Sequence, residues 1–145
     1  RTILNFMMLY LTDHELRTAL ETAGLRPTAQ RLAIARFVLC EGDHPTVKEE
    51  TRAVEGKLGI LSQATVYNTL NAMVDRGMLI EVRACPGEPI RYDSNMEHHH
   101  HLLEKRTGKL VDIPHEALEI NGLDEIAKTY RVDRITVTIE GELLS

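Results

Sequence analysis

The chain of 145 residues has no tryptophan, two phenylalanines and two cysteines, and it has no long apolar run. A membrane span needs about 20 consecutive apolar residues, so we expect no membrane partner. Cys40 and Cys85 stand apart without a CxxC spacing, which argues against a disulfide framework and favours a reducing, cytoplasmic location. The most apolar stretch, residues 3–11, is too short to span and is interpreted as an extra helical turn.

The net charge of −5 is distributed unevenly along the chain. Residues 1–84 carry ten basic and ten acidic side chains, whereas residues 85–145 carry seven basic and twelve acidic ones. The first half can therefore bind a polyanion, whereas the second half, with its excess of acidic side chains, is better suited to binding cations.

Capping residues and apolar periodicity predict four helices in the first half. Thr12 with Glu15 forms a capping-box pattern, and Thr28 and Ser62 are N-cap candidates for two later helices. Two β-like runs, "MLIEVRA" and "PIRYD", flank the turn sequence "CPGE" and predict a hairpin. Four helices followed by a hairpin are typical of a winged helix-turn-helix domain, expected over residues 1–91.

The fourth predicted helix, residues 62–76, would be the recognition helix. Its polar side chains can reach base edges in the major groove, and arginines elsewhere can contact the phosphate backbone. A small helical domain with a solvated polar face would show the same pattern. The candidate DNA-binding residues are Arg26, Arg31, Ser62, Gln63, Thr65, Tyr67 and Asn68.

The second half predicts a small α/β unit over residues 92–145, which makes the whole chain α+β. Two short strands join around "RTG", a helix follows at "NGLDEIAKTYRV", and "DRITVTIEG" alternates as a strand. So small a unit is marginally stable alone. The helix is expected to turn Leu123, Ile126, Ala127 and Tyr130 inward, and we expect the unit to gain further burial against a second copy in a homodimer.

Four consecutive histidines, residues 98–101, stand inside this second half. On a strand His99 and His101 point one way, and His98 and His100 point the other. Imidazole and carboxylate ligands favour Fe(II) or Mn(II) over structural zinc. The predicted metal ligands are His44, Asp93, His99, His101 and Asp112.

Such a site would draw ligands from both predicted domains. An ion stabilises the arrangement for which it has the higher affinity. Metal could then set the spacing of two recognition helices in a dimer.

The segments "GLRPTAQRLAIARFVL", "HPTVKEET", "SQATVYNTLNAMVDRGMLIEV", "RYD" and "HHHHLLEKRTGKLVDI" resemble the ferric uptake regulator (Fur) family over nearly all of residues 12–141. The resemblance implies a dimeric winged-helix repressor that binds AT-rich palindromic operators when loaded with metal. The ligand pattern is most similar to the peroxide-sensing PerR branch. That branch implies Fe(II) or Mn(II), with Zn(II) as a further candidate in purified protein, and oxidation of a ligand histidine by peroxide.

The chain departs from the family in two places. Most relatives hold a structural zinc with two CxxC pairs, but Glu104 and Thr107 stand at the first pair, so we predict no structural zinc. A second family site, for metal or haem, would use His98, His100 and Glu119, although no histidine stands near residues 135–136. The histidine run also resembles the haem-responsive Irr regulators, which are the alternative, followed by an iron-responsive Fur.

Two other classes compete with this interpretation. A non-haem iron enzyme would use two histidines and one carboxylate around iron, and turnover of a substrate would identify it. A metal-independent DNA-binding protein would keep operator binding in a chelator. We expect a regulator and not an enzyme.

Overall fold

The computed structural model describes residues 10–145, and the chain divides into two compact units that meet in sequence between Met96 and Glu97. Most of the extra helical turn predicted at residues 3–11 lies outside the described residues. No helix within residues 10–145 combines the length and apolarity needed to cross a membrane. The helices of the first unit are α1 (Asp13–Thr22), α2 (Ala29–Arg36), a π-helical turn (Phe37–Glu41), α3 (Val47–Leu58) and α4 (Gln63–Asp75).

Side-chain caps start these helices where the sequence predicts them. The Thr12 hydroxyl accepts from the Glu15 N–H at 3.1 Å, and the Glu15 carboxylate accepts from the Thr12 N–H at 3.0 Å. Thr46 and Glu49 form the same reciprocal box at the start of α3. Ser62 caps α4 by accepting from the Thr65 N–H. These local bonds satisfy backbone donors that have no partner within the helix.

A hairpin completes the first unit and confirms the predicted wing. Strands β1 (Ile80–Val82) and β2 (Arg91–Asp93) pair antiparallel, with Ile80 opposite Asp93. The pairing keeps Tyr92 and Asp93 with the first unit, whereas the sequence-based boundary assigned both residues to the second. Aliphatic side chains from all four helices and Tyr92 of the wing form the buried core: Leu16, Leu20, Ile34, Val38, Val54, Val66, Leu70, Met73, Leu79 and Tyr92.

The second unit is a three-stranded sheet with short helices. Strand β3 (His99–Glu104) lies between β4 (Leu110–Pro114), which is antiparallel to it, and β5 (Thr138–Gly141), which is parallel. The register of β3 and β4 sets His101 opposite Asp112. A 3₁₀ turn (His115–Ala117) and helix α5 (Leu123–Ala127) connect β4 to β5. The predicted mixed fold, with a helical first half and an α/β second half, is confirmed.

Helix α5 differs from the prediction in length and burial. It has five residues, and Ile126 and Tyr130 are 50% and 68% exposed. The inward orientation expected for this face is therefore not found within the single chain. The physical reason is the size of the unit, in which Leu103 and Leu110 are the buried apolar residues. So small a core cannot cover every apolar side chain.

Gly24 offers a test of the helical packing. Its φ is +80°, and a Cβ at this position would collide with the guanidinium of Arg76, which donates to the Ala23 carbonyl at 2.8 Å. Gly24→Ala should lower the free energy of unfolding by about 2 kcal/mol, because a left-handed alanine costs about 1 kcal/mol and the arginine contact is lost as well. Urea denaturation measures the change.

Gly56 supplies the matched control. It lies inside α3, and among residues 10–145 no atom outside its own helix backbone and chain neighbours comes within 4 Å of the place a methyl group would take. Gly56→Ala should raise the free energy of unfolding by up to about 1 kcal/mol, because alanine has the higher helix propensity. Equal effects of the two substitutions would contradict the packing argument for Gly24.

Candidate metal centre

His44 lies between two carboxylates of the first unit. Its Nδ1 is 2.6 Å from Oδ1 of Asp43, and its Nε2 is 3.2 Å from Oδ2 of Asp93. A neutral imidazole carries one N–H, so it can donate to only one of these oxygens. The shorter contact indicates that Nδ1 donates to Asp43. The Nε2 lone pair then points toward Oδ2 of Asp93. A cation bound by both this nitrogen and this oxygen would stabilise the two groups.

Asp93 is held for this contact by the end of the wing. The residue is fully buried, and its Oδ1 accepts from the Asn95 N–H at 2.8 Å. The Asn95 bond orients the carboxyl group and leaves Oδ2 toward His44. Buried carboxylates are stable when paired with cations or metals.

His99, His101 and Asp112 converge in the second unit. The Nε2 atoms of the two histidines are 3.0 Å apart, and each lies 3.5 Å from Oδ1 of Asp112. Strand alternation puts both rings on one face of β3, and the β3–β4 register brings Asp112 opposite His101. His99 Nδ1 donates to the Glu97 carbonyl at 2.6 Å, so its Nε2 carries the lone pair.

The donor atoms of the two groups fit a divalent cation. All are imidazole nitrogens or carboxylate oxygens, the ligand types that Fe(II), Mn(II) and Zn(II) accept. In both groups an Nδ1–H is bonded to an oxygen, which leaves an Nε2 as the ligand atom, as is usual in metal sites. Each predicted ligand therefore stands beside another predicted ligand of its own unit.

His98 and His100 bond to the backbone ahead of β5. His98 Nε2 donates to the Ile135 carbonyl at 3.0 Å, and His100 Nδ1 accepts from the Val137 N–H at 3.1 Å. Desolvation, followed by the neighbouring imidazoles, lowers the pKa of His100 and favours this neutral acceptor. Glu119 is exposed. These contacts favour a structural role for both rings, and the second site stays a prediction.

The turn between β3 and β4 lies at Glu104 and Thr107, the two residues from which the absence of a structural zinc is predicted. Glu104 accepts from the Arg106 N–H at 2.9 Å and from the Thr107 hydroxyl at 3.2 Å. The Arg106 backbone bond is the main reason that the pKa of Glu104 is lowered. The carboxylate of Glu104 thus stabilises this turn through hydrogen bonds to the two residues that follow Lys105.

Four of the predicted DNA-binding residues, Arg26, Arg31, Thr65 and Asn68, line one groove of the first unit. Gln63, Tyr67 and Asn68 are exposed on α4. The groove has a volume of about 450 Å³. Its lining consists of Arg26, Thr28, Gln30, Arg31, Thr65, Asn68 and Thr69. Polar and cationic side chains around a helix N-terminus suit a phosphate backbone.

The environments of three side chains were missed in the sequence. Asp43 contacts His44, and its position directly before that histidine was the available signal. His115 stacks on His98 with ring centroids 5.2 Å apart, which a sequence separation of seventeen residues does not reveal. Glu50 is fully buried on α3, although charged residues surround it in the sequence.

Comparison with known proteins gives consistent matches. The Ferric uptake regulator family matches residues 22–141. The peroxide-responsive repressor PerR of Staphylococcus epidermidis is 36% identical over 110 residues, covering 74% of this chain and 73% of that protein. The peroxide operon regulator of Bacillus subtilis is 36% identical over 119 residues, covering 80% and 78%. The Helicobacter pylori ferric uptake regulator Fur superimposes with a TM-score of 0.71 at 20% identity, covering 99% and 92%.

Proposed function

The chain belongs to the ferric uptake regulator family, and we propose that it is a dimeric, metal-dependent DNA-binding repressor that senses peroxide. The relatives at 36% identity are named as peroxide-responsive or peroxide-operon regulators. Fur-family regulators bind DNA and act as dimers. Exposed Ile126 and Tyr130 of the second unit would gain burial against a second copy.

The observation that carries the proposal is the convergence of His99, His101 and Asp112 on one nitrogen- and oxygen-only cluster. We propose that these three residues, with His44 and Asp93, bind one Fe(II) or Mn(II) ion. An ion with ligands from both units favours the arrangement that it requires. This preference would make operator binding depend on metal.

The chain's own groups would prepare the site for this ion. Asp43 and the Glu97 carbonyl hold protons on Nδ1 of His44 and His99 and leave the Nε2 atoms as ligands. A bound Fe(II) would activate hydrogen peroxide, so that a ligand imidazole would be oxidised by two electrons and gain one oxygen atom while the peroxide would be reduced to water. The altered imidazole would be a poorer ligand, so metal and DNA would both be released.

For DNA recognition, we propose that α4 enters the major groove. Gln63, Thr65, Tyr67 and Asn68 would face the bases, and Arg26, Arg31 and Ser62 would contact phosphates. The operator is expected to be an AT-rich palindrome.

The experiment compares Fe(II)- and Mn(II)-loaded protein before and after dilute peroxide without oxygen. The operator should be released from the Fe(II) form only, because Mn(II) would not activate peroxide in the same way. Mass spectrometry should find one added oxygen on a peptide that contains His44 or residues 99–101. Asn68→Ala is the control, since it should weaken operator binding in both forms without altering oxidation.

Other outcomes would identify the alternatives. Release on adding haem, without added oxygen, would favour a haem-responsive regulator. Operator binding that follows iron but ignores peroxide would favour an iron-responsive Fur. Binding that persists in chelator would contradict metal dependence, and turnover of a substrate would indicate an enzyme.

A further inference from the structure

We propose that Asp43 is a positioning residue that keeps the His44 ring in the tautomer able to bind metal. The inference rests on the proposed function, because it concerns a ligand of that site. It is carried by the distances from one imidazole ring to two carboxylates, Asp43 and Asp93.

The two carboxylates compete for the single proton of a neutral His44 ring. If Nε2 carried the proton, it would donate to Asp93 Oδ2 at 3.2 Å, and the ring would present no lone pair to an ion beside Asp93. Asp43 offers the shorter contact, 2.6 Å from Nδ1. The shorter, charge-assisted bond holds the proton on Nδ1 and leaves Nε2 as a ligand.

The backbone around His44 is fixed independently of Asp43. His44 has φ of +49°, the left-handed conformation that is uncommon for residues other than glycine. Arg91 Nη1 donates to the His44 carbonyl at 3.0 Å and to Glu49 at 2.9 Å, and the Tyr92 N–H donates to the Pro45 carbonyl at 3.0 Å. The wing thus fixes the main chain at His44 and Pro45, whereas the contact from Asp43 is made to the imidazole ring.

The charge on Asp43 gives His44 a different environment from His99. The Nδ1 of His99 donates to a neutral backbone carbonyl, whereas that of His44 donates to a carboxylate. A carboxylate partner raises the basicity of a ligand imidazole, and losing an outer partner of this kind weakens metal binding about 10- to 100-fold. Asp43 should therefore set the affinity of the site as well as its tautomer.

The first measurement is the ring spectrum of metal-free protein, with ¹⁵N–¹H correlation two pH units above the ordinary imidazole pKa of about 6.5. His44 should be protonated at Nδ1 in the natural chain and shift toward Nε2–H in Asp43→Ala. Asp43→Asn keeps a neutral acceptor and should fall between them. His44→Gln assigns the signal.

The second measurement is Mn(II) affinity by calorimetry on the full chain. Asp43→Ala should bind about 10- to 100-fold more weakly, and Asp43→Asn should lose less. Glu21→Gln removes an exposed charge from the same unit and should bind like the natural chain. Because the Asp43 side chain is 65% exposed, the variants should keep the natural melting temperature.

Unchanged Nδ1 protonation or unchanged Mn(II) affinity in Asp43→Ala would overturn the role of Asp43. Metal-independent operator binding, with both measurements responding to Asp43→Ala, would refute the proposed function and leave this role standing. The two failures are therefore distinguishable.

Discussion

Asp93→Asn should abolish metal-dependent operator binding while the first unit keeps its fold. The substituted amide has the same size as the carboxyl, and its oxygen can still accept from the Asn95 N–H, a bond of 2.8 Å in the natural chain. Its NH₂ group would face His44 Nε2, which lies 3.2 Å from Oδ2 of Asp93. The amide N–H could then donate to His44 Nε2. The imidazole and the amide would therefore form a hydrogen bond with each other instead of binding a cation.

The expected loss of Mn(II) affinity exceeds the roughly 10- to 100-fold cost of losing an outer partner, because Asp93 is a proposed ligand. Calorimetry with Mn(II) and fluorescence anisotropy with an operator duplex measure the two effects. Asp124→Asn makes the same chemical change at an exposed position of α5 and should alter neither. If Asp93→Asn bound Mn(II) and operator normally, Asp93 would have to leave the ligand set.

The features predicted well from the sequence depend on short-range chemistry. Thr12 with Glu15 marks a helix start because both partners of the capping box lie within four residues. The alternation of His98 to His101 follows from strand geometry alone. The convergence of His99, His101 and Asp112 needs only that alternation and one antiparallel partner strand, so their proximity could be predicted from the sequence, and their role as metal ligands stays a prediction.

The features that were missed depend on tertiary packing. The periodic stretch before Gly42 predicts one continuous helix, but Phe37–Glu41 widens into a π-helical turn that the Gly42 N–H closes on the Phe37 carbonyl. The apolar face at Ile126 and Tyr130 predicts burial, yet the single chain leaves both exposed. Periodicity shows that a side chain is apolar, and the neighbouring elements decide what covers it.

Glu50 is the clearest example of a residue whose environment is set by tertiary packing. It follows another glutamate in the sequence, yet it is buried on the inner face of α3 beside Thr51 and Val54. Neither carboxyl oxygen has a hydrogen-bond partner within residues 10–145. Burial, with a smaller contribution from repulsion by Glu41, raises the pKa of Glu50 from 4.5 to about 9. The folded chain therefore carries a neutral carboxylic acid here at pH 7.

Glu50→Gln should make the protein more stable at neutral and alkaline pH. Between pH 4.5 and about 9 the folded chain binds a proton that the unfolded chain releases. The contribution of Glu50 to the free energy of unfolding is thus largest below pH 4.5 and falls by about 1.4 kcal/mol per pH unit until the folded carboxyl ionises. Glutamine has nearly the same shape and does not ionise, so it removes this slope.

At pH 7 the gain should be on the order of 3 kcal/mol over the natural chain, and near pH 4.5 it should vanish. Urea unfolding of both proteins across this range measures it. The other ionisable groups are common to both proteins, so the difference between the two curves isolates Glu50. Glu21→Gln, at an exposed site, should follow the natural curve. Parallel curves for Glu50→Gln and the natural chain would mean that the carboxyl is already ionised and hydrated inside the fold.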